Sequence, residues 1–171
     1  MSQSLFTILF VDSTSTFRAP LAASLLRREL EKRGIEDVVV LYGGIEAEPE
    51  QSVSTHVSEM LPSFVVDSTA PTTNAIIQDF VDQAHLILVM DRKQTRWLWE
   101  HMPDRANRIR KLGRFGGDDS DPEIPSVESG AGRDYQEILH QIERSVLGLF
   151  PKWDDRSEEH TSELQSLLII S

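Results

Sequence analysis

Apolar positions along this chain switch repeatedly between two periods. Leu5-Phe6-Thr7-Ile8-Leu9-Phe10-Val11 is an almost unbroken apolar run, which a strand buried on both faces requires. Over residues 20–33 the spacing becomes helical: Leu21, Ala22, Leu25, Leu26 and Leu30 share one face, with Arg27, Arg28, Glu31 and Lys32 mostly outside it. Pro20 suits a first helical turn and Gly34 a stop. Val38-Val39-Val40-Leu41-Tyr42 reads as a second buried strand, ended by Gly43-Gly44. Helices are expected over residues 51–61 and 73–84, and residues 85–90 give the clearest buried strand of the chain. A helix over 95–101, a short strand over 109–112 and a long helix over 134–150 complete the pattern. The last helix carries Ile138, Leu139, Ile142, Val146 and Leu149 on one face.

Strands that alternate with helices imply a parallel sheet covered on both sides, here a single α/β domain with a four-stranded parallel twisted sheet. In such sheets ligands bind beyond the carboxyl ends of strands, beside a topological switch point. Asp12-Ser13-Thr14-Ser15-Thr16-Phe17-Arg18 stands at such an end, between the first strand and the first helix. A loop there turns backbone N–H groups inward, the helix N-terminus adds positive potential, and an arginine closing the loop can clamp two oxygens of an anion. The one long loop, residues 116–133, is rich in Asp, Gly, Ser and Pro, and loops of that length are often functional.

Composition narrows the chemistry. The chain has 171 residues and no cysteine, so disulfides, thiolate metal sites and thiol mechanisms are excluded. A formal charge of −11 argues against nucleic acid as a partner. No apolar run reaches membrane-spanning length, so no membrane is expected, and Met1-Ser2-Gln3-Ser4 does not open a secretory signal. A cytoplasmic location is the expectation. His56, His85, His101 and His140 have no ligand spacing, and the Asp118-Asp119-Ser120-Asp121 run lacks an EF-hand pattern, so no metal and no cofactor is expected. Trp97 and Trp99 stand two apart on a helix and must face different ways, one inward and one partly exposed.

Val11-Asp12-Ser13-Thr14-Ser15-Thr16-Phe17-Arg18-Ala19-Pro20-Leu21-Ala22 resembles the opening loop of the low-molecular-weight protein tyrosine phosphatases, a family that includes related arsenate reductases. Three more stretches agree in order and spacing. They are His85-Leu86-Ile87-Leu88-Val89-Met90-Asp91-Arg92, Lys111-Leu112-Gly113-Arg114-Phe115, and Asp121-Pro122 followed by a Gly-rich stretch and Tyr135. The resemblance covers roughly residues 5–150 and implies hydrolysis of phosphotyrosine or small aryl phosphates, without a metal, through a covalent phosphoenzyme. It implies a phosphate-binding loop of Ser13, Thr14, Ser15, Thr16, Phe17 and Arg18, with Arg18 as the phosphate clamp and Asp121 in the general-acid position. The partner it implies is a phosphoprotein or a small phosphoanion. The family's nucleophilic cysteine is replaced by Asp12.

That replacement sets the functional expectation. A carboxylate can attack phosphorus, but enzymes that use one recruit Mg²⁺ with further carboxylates. The D-x-D pattern of the haloacid-dehalogenase superfamily fails here at Thr14. Two unit charges of like sign at 4 Å repel by about 4 kcal/mol at an effective dielectric near 20, so an aspartate at the loop's centre opposes a phosphate. Asp12 is therefore expected to pair with Arg18 and to neutralise the loop, giving an inactive or impaired relative, a pseudophosphatase. Two alternatives stand beside it: a working phosphomonoesterase using Asp12 or an Asp121-assisted water, and a phosphoanion-binding module relying on Arg18. Arsenate reduction needs thiols and is excluded. Finally, the run from Arg156 to Ser166 resembles the in-frame translation of a common sequencing adapter. Residues 1–155 are expected to be the phosphatase-like domain and 156–171 an artefactual tail.

Overall fold

β1 (Phe6–Asp12) is buried along its whole length, and the rest of the fold is arranged around it. The computed structural model describes residues 5–48, 52–60, 78–117, 123–127 and 134–150. β1 is followed by α1 (Arg18–Lys32), β2 (Val38–Gly44), α2 (Thr55–Met60), α3 (Gln78–Gln83), β3 (Leu86–Val89), α4 (Arg92–His101), β4 (Ile109–Lys111) and α5 (Tyr135–Leu147). Short 3-10 turns occupy Pro103–Arg108 and Leu112–Gly116. The sheet order is β2-β1-β3-β4, with all three pairings parallel. The expected single α/β domain with a four-stranded parallel sheet is what the chain forms. None of the described helices is long and apolar enough to cross a membrane.

The unbroken apolar runs are explained by two cores, one on each face. Side chains alternate along a strand, so Phe6, Ile8 and Phe10 of β1 and Leu86 and Leu88 of β3 pack with α1 and α5. Leu9, Val11, Ile87 and Val89 point the other way, onto Val81 of α3 and Leu98 of α4. His85 caps the sheet's entrance: its Nδ1 accepts the Thr7 N–H at 2.9 Å and its ring stacks on Phe6 at 5.0 Å. Burial and the Arg108 charge hold that ring below the usual histidine range, consistent with a neutral acceptor.

Several boundaries differ from expectation for local reasons. α1 starts at Arg18, two residues before Pro20, because a first-turn proline gives up only an N–H that the helix cannot use. α4 starts at Arg92 rather than residue 95. Asp91 accepts the Lys93 N–H, and the Gln94 side chain returns to the Asp91 N–H, a reciprocal cap that extends the helix by nearly a turn. α2 is described over Thr55–Met60; residues 52–54 of the expected helix are not helical, and residues 51 and 61 lie outside the described ones. The expected helix over 73–84 is described from Gln78, and its earlier residues lie outside the described ones, as do residues 118–122, 128–133 and 151–171.

β1 has β2 on one side and β3 on the other, so the chain leaves it in opposite directions and its carboxyl end is the switch point of the sheet. Gly44, the last residue of β2, lies against the loop that follows β1. A Cβ there would stand 2.6 Å from the Ser13 carbonyl oxygen and 2.7 Å from the Ser15 nitrogen, both backbone atoms that cannot rotate aside. Gly44→Ala is expected to displace the loop and to lower unfolding free energy by about 1–3 kcal/mol, measured by urea denaturation; an unchanged midpoint would contradict this packing.

Candidate functional site

The loop between β1 and α1 is held from outside through its carbonyls. The Asp12 carbonyl accepts the Ile45 N–H at 3.0 Å, that of Ser13 accepts Glu46 N–H at 2.6 Å, and that of Thr16 accepts Ser54 N–H at 2.7 Å. Inside, the Thr14 and Thr16 hydroxyls share a hydrogen bond of 2.7 Å, and Gln94 donates its side-chain N–H to Ser13 Oγ at 3.0 Å. Ser15 is fully buried at φ +61°, the left-handed backbone that lets the loop reverse and turn its N–H inward.

Two N–H groups converge on the Asp12 side chain. Its Oδ1 accepts the Ser15 N–H at 2.7 Å and its Oδ2 the Ala19 N–H at 2.9 Å. Phe17, at the position before α1, offers no side-chain cap, and the first turn of α1 has no acid. Asp12 therefore does by long reach what an N-cap residue does locally: it accepts an orphan N–H and sets an acceptor at the positive end of the helix. Its side chain is 2% exposed. Burial pushes the carboxyl above the usual aspartate value, and the Arg18 charge and the Ala19 and Ser15 N–H groups only partly pull it back.

Arg18 does not pair with Asp12, contrary to expectation. Its Nη1 donates to Asp91 Oδ2 at 2.8 Å and to the Ile124 carbonyl at 2.8 Å. Asp91 is the better partner because it stands at the end of β3, the neighbouring strand, and is already fixed as the cap of α4. One of its oxygens holds the α4 N-terminus and the other holds the guanidinium. Ile124 is positioned in turn by its N–H to the Met90 carbonyl at 2.8 Å. Among the described residues no partner takes Arg18 Nε or Nη2.

A cleft of about 630 Å³ opens over the loop. One wall is aromatic: Phe17 meets Tyr135 edge-on at 4.8 Å, and His56 stacks on Tyr135 at 3.8 Å. The rim is charged but paired, with Lys93 to Glu46 at 2.9 Å and Lys111 to Glu123 at 3.4 Å. Among the described residues four acids line the cleft (Asp12, Glu46, Asp91 and Glu123) against two bases, Arg18 and Lys93. Among the described residues no three His, Asp or Glu side chains converge as a metal site.

Of the residues singled out from the sequence, the structure brings Asp12, Ser13, Thr14, Thr16, Phe17 and Arg18 to the cleft and buries Ser15 beneath it. Asp121 lies outside the described residues. Gln94, Glu46 and Glu123 join the site without having been singled out from the sequence, and Asp91 gains a role there. Only Asp91 and Gln94 had a readable signal, the D-x-x-Q cap directly after an apolar strand.

A parallel α/β sheet with a phosphate-type loop at its switch point defines the class. The chain belongs to the low molecular weight phosphotyrosine protein phosphatase family, whose model matches residues 7–161. Among curated proteins no match is found. Solved structures repeat the fold. YfkJ from Bacillus subtilis has a TM-score of 0.77 at 17% identity, covering 91% of this chain and 98% of that one. The YwlE arginine phosphatase from Geobacillus stearothermophilus has a TM-score of 0.72 at 23% identity, covering 91% and 97%. A low molecular weight protein tyrosine phosphatase from T. tengcongensis has 0.71 at 20%, covering 86% and 99%.

The upward shift at Asp12 has a sign that can be tested. A carboxyl whose folded-state pKa lies above its ordinary value of 3.8 contributes stability in full below 3.8 and loses it as pH rises through the folded-state value. Asp12→Asn removes that titration. Denaturation from pH 3.5 upward should show the wild type losing stability relative to Asp12→Asn as pH rises; a gain would mean that the loop favours the ionised carboxylate.

Proposed function

We propose that this phosphatase-family chain has lost, or nearly lost, phosphoryl transfer, with Asp12 standing in the nucleophile position and Arg18 in that of the phosphate clamp. The observation that carries this reading is that two N–H donors of the loop and helix head, and one nitrogen of Arg18, already have acceptors within the protein. Ser15 and Ala19 give their N–H groups to Asp12, and Arg18 Nη1 gives its bonds to Asp91 and Ile124. A phosphate entering the cleft displaces those contacts and meets an excess of acids. A covalent aspartyl-phosphate further requires attack by a carboxyl group whose two oxygens are each engaged. The protein then acts, if it acts on phosphoproteins, by binding.

One observation favours a second reading, a residual phosphoanion site. Arg18 lines the cleft with Nε and Nη2 untaken among the described residues, and those two nitrogens form one edge of a guanidinium fork. In that reading the partner is a phosphoprotein or a small phosphoanion held without turnover.

Hydrolysis of an aryl phosphate, and of phosphotyrosine and phosphoarginine peptides, separates these readings from an active enzyme. The wild type is expected to give no turnover above background, and Asp12→Cys to turn over an aryl phosphate. Turnover by the wild type that Asp12→Asn abolishes would overturn the proposal and make Asp12 the nucleophile. Weak anion binding that Arg18→Ala removes, without turnover, would select the second reading.

A further inference from the structure

Basic residues are unevenly placed in this acidic chain. Eight of its 17 Lys and Arg lie within residues 92–114, together with only two of its 28 Asp and Glu. Several of these cations are engaged: Arg105 pairs with Asp82 at 3.2 Å, Lys111 with Glu123 at 3.4 Å, and Arg108 donates to the Ala84 carbonyl at 2.8 Å. The outer face of α4 is different. Arg92, Arg96 and Trp99 recur at i, i+4 and i+7 and form one stripe on the helix. Arg92 is 76% exposed and reaches Glu123 only at 3.9 Å. Arg96 is exposed and makes no ion pair among the described residues, although Glu100 stands one turn further on. Trp99 is 57% exposed, whereas Trp97 is partly buried and stacks on His101 at 4.2 Å.

The stripe begins at the cleft. Asp91 and Lys93, on either side of Arg92, both line it. We propose that this face of α4 docks an acidic polypeptide segment that leads away from the cleft mouth, its carboxylates over Arg92 and Arg96 and an apolar side chain against Trp99. Planar guanidinium groups take carboxylates in pairs, and an arginine–tryptophan pair is the composition in which binding energy concentrates at protein interfaces. From Arg92 to Trp99 the helix rises about 10 Å, which an extended peptide covers in roughly three residues. The surrounding negative charge repels such a segment elsewhere and steers it to this face. The docking face stands on α4 alone and holds whatever Asp12 does in the cleft.

The test is a titration of the full chain, followed by calorimetry, with an unphosphorylated Asp/Glu-rich peptide of about ten residues carrying one leucine, beside a Lys-rich counterpart and a single-stranded oligonucleotide. The acidic peptide alone is expected to bind, more weakly as salt is raised. Arg92→Ala with Arg96→Ala, and separately Trp99→Ala, should each weaken it at least about tenfold, while Lys32→Ala, an exposed lysine on α1, leaves it unchanged. The side chains altered in these variants are exposed, and circular dichroism melts should match the wild type. Absence of binding, or binding that both α4 variants leave intact, would overturn the proposal. Loss of binding in Arg18→Ala would put the segment in the cleft instead. Tighter binding of the oligonucleotide would make the face one for nucleic acid, and competition by self-association, seen in sedimentation, one for a second copy of the chain.

Discussion

The N–H groups of Ser15 in the loop and of Ala19 at the head of α1 point into one small volume and must find an acceptor there. A buried backbone donor left without one costs about as much as a lost hydrogen bond. In this chain the acceptor is the carboxyl of Asp12, the residue that opens the loop, with one oxygen for Ser15 and one for Ala19. The rest of the site follows from that pairing. β1 ends at the switch point, so Asp12 enters the loop from below. The turn at Ser15 brings its N–H around, and Gly44 leaves room for the loop backbone to do so. In the proposed reading, an anion-binding geometry is thereby satisfied from within.

The charges around the cleft show the same economy of pairing. Asp91 serves two elements at once, one oxygen at the start of α4 and the other on Arg18. Gln94 ties that helix back to the loop through Ser13. Lys93 and Lys111 are matched by Glu46 and Glu123. A site built to receive a doubly charged ligand leaves positive charge unmatched until the ligand arrives. Here much of it is matched among the described residues, and Arg96, which makes no ion pair among them, lies outside the cleft on α4.

What the sequence made legible was whatever is carried by short-range pattern. The apolar runs at residues 5–11 and 85–90 could be satisfied only by strands covered on both faces, and both are found in the middle of the sheet. The loop from Asp12 to Arg18 was readable because a strand, a polar turn and a proline-led helix follow one another without interruption. Partners set by the fold were not readable. Arg18 was assigned to Asp12, its neighbour in the loop, whereas it is held by Asp91 and the Ile124 carbonyl, 73 and 106 residues away. Nor could spacing show that the Asp12 carboxyl would be taken by N–H groups, because a helix cap is ordinarily supplied from the residue just before the helix. Glu46 and Glu123 come to the cleft rim from loops whose composition marks them only as solvated turns.

If Asp12 occupies the place an anion would take, its removal must open the site to anions. Calorimetric titration of vanadate into the wild type and into Asp12→Ala tests it most directly, since the alanine frees the Ser15 and Ala19 N–H groups and leaves Arg18 in place. Little or no binding is expected of the wild type, and binding at least about tenfold tighter of Asp12→Ala, where one like charge is removed and two N–H donors are returned. Micromolar binding by the wild type, unchanged or weakened in Asp12→Ala, would contradict it.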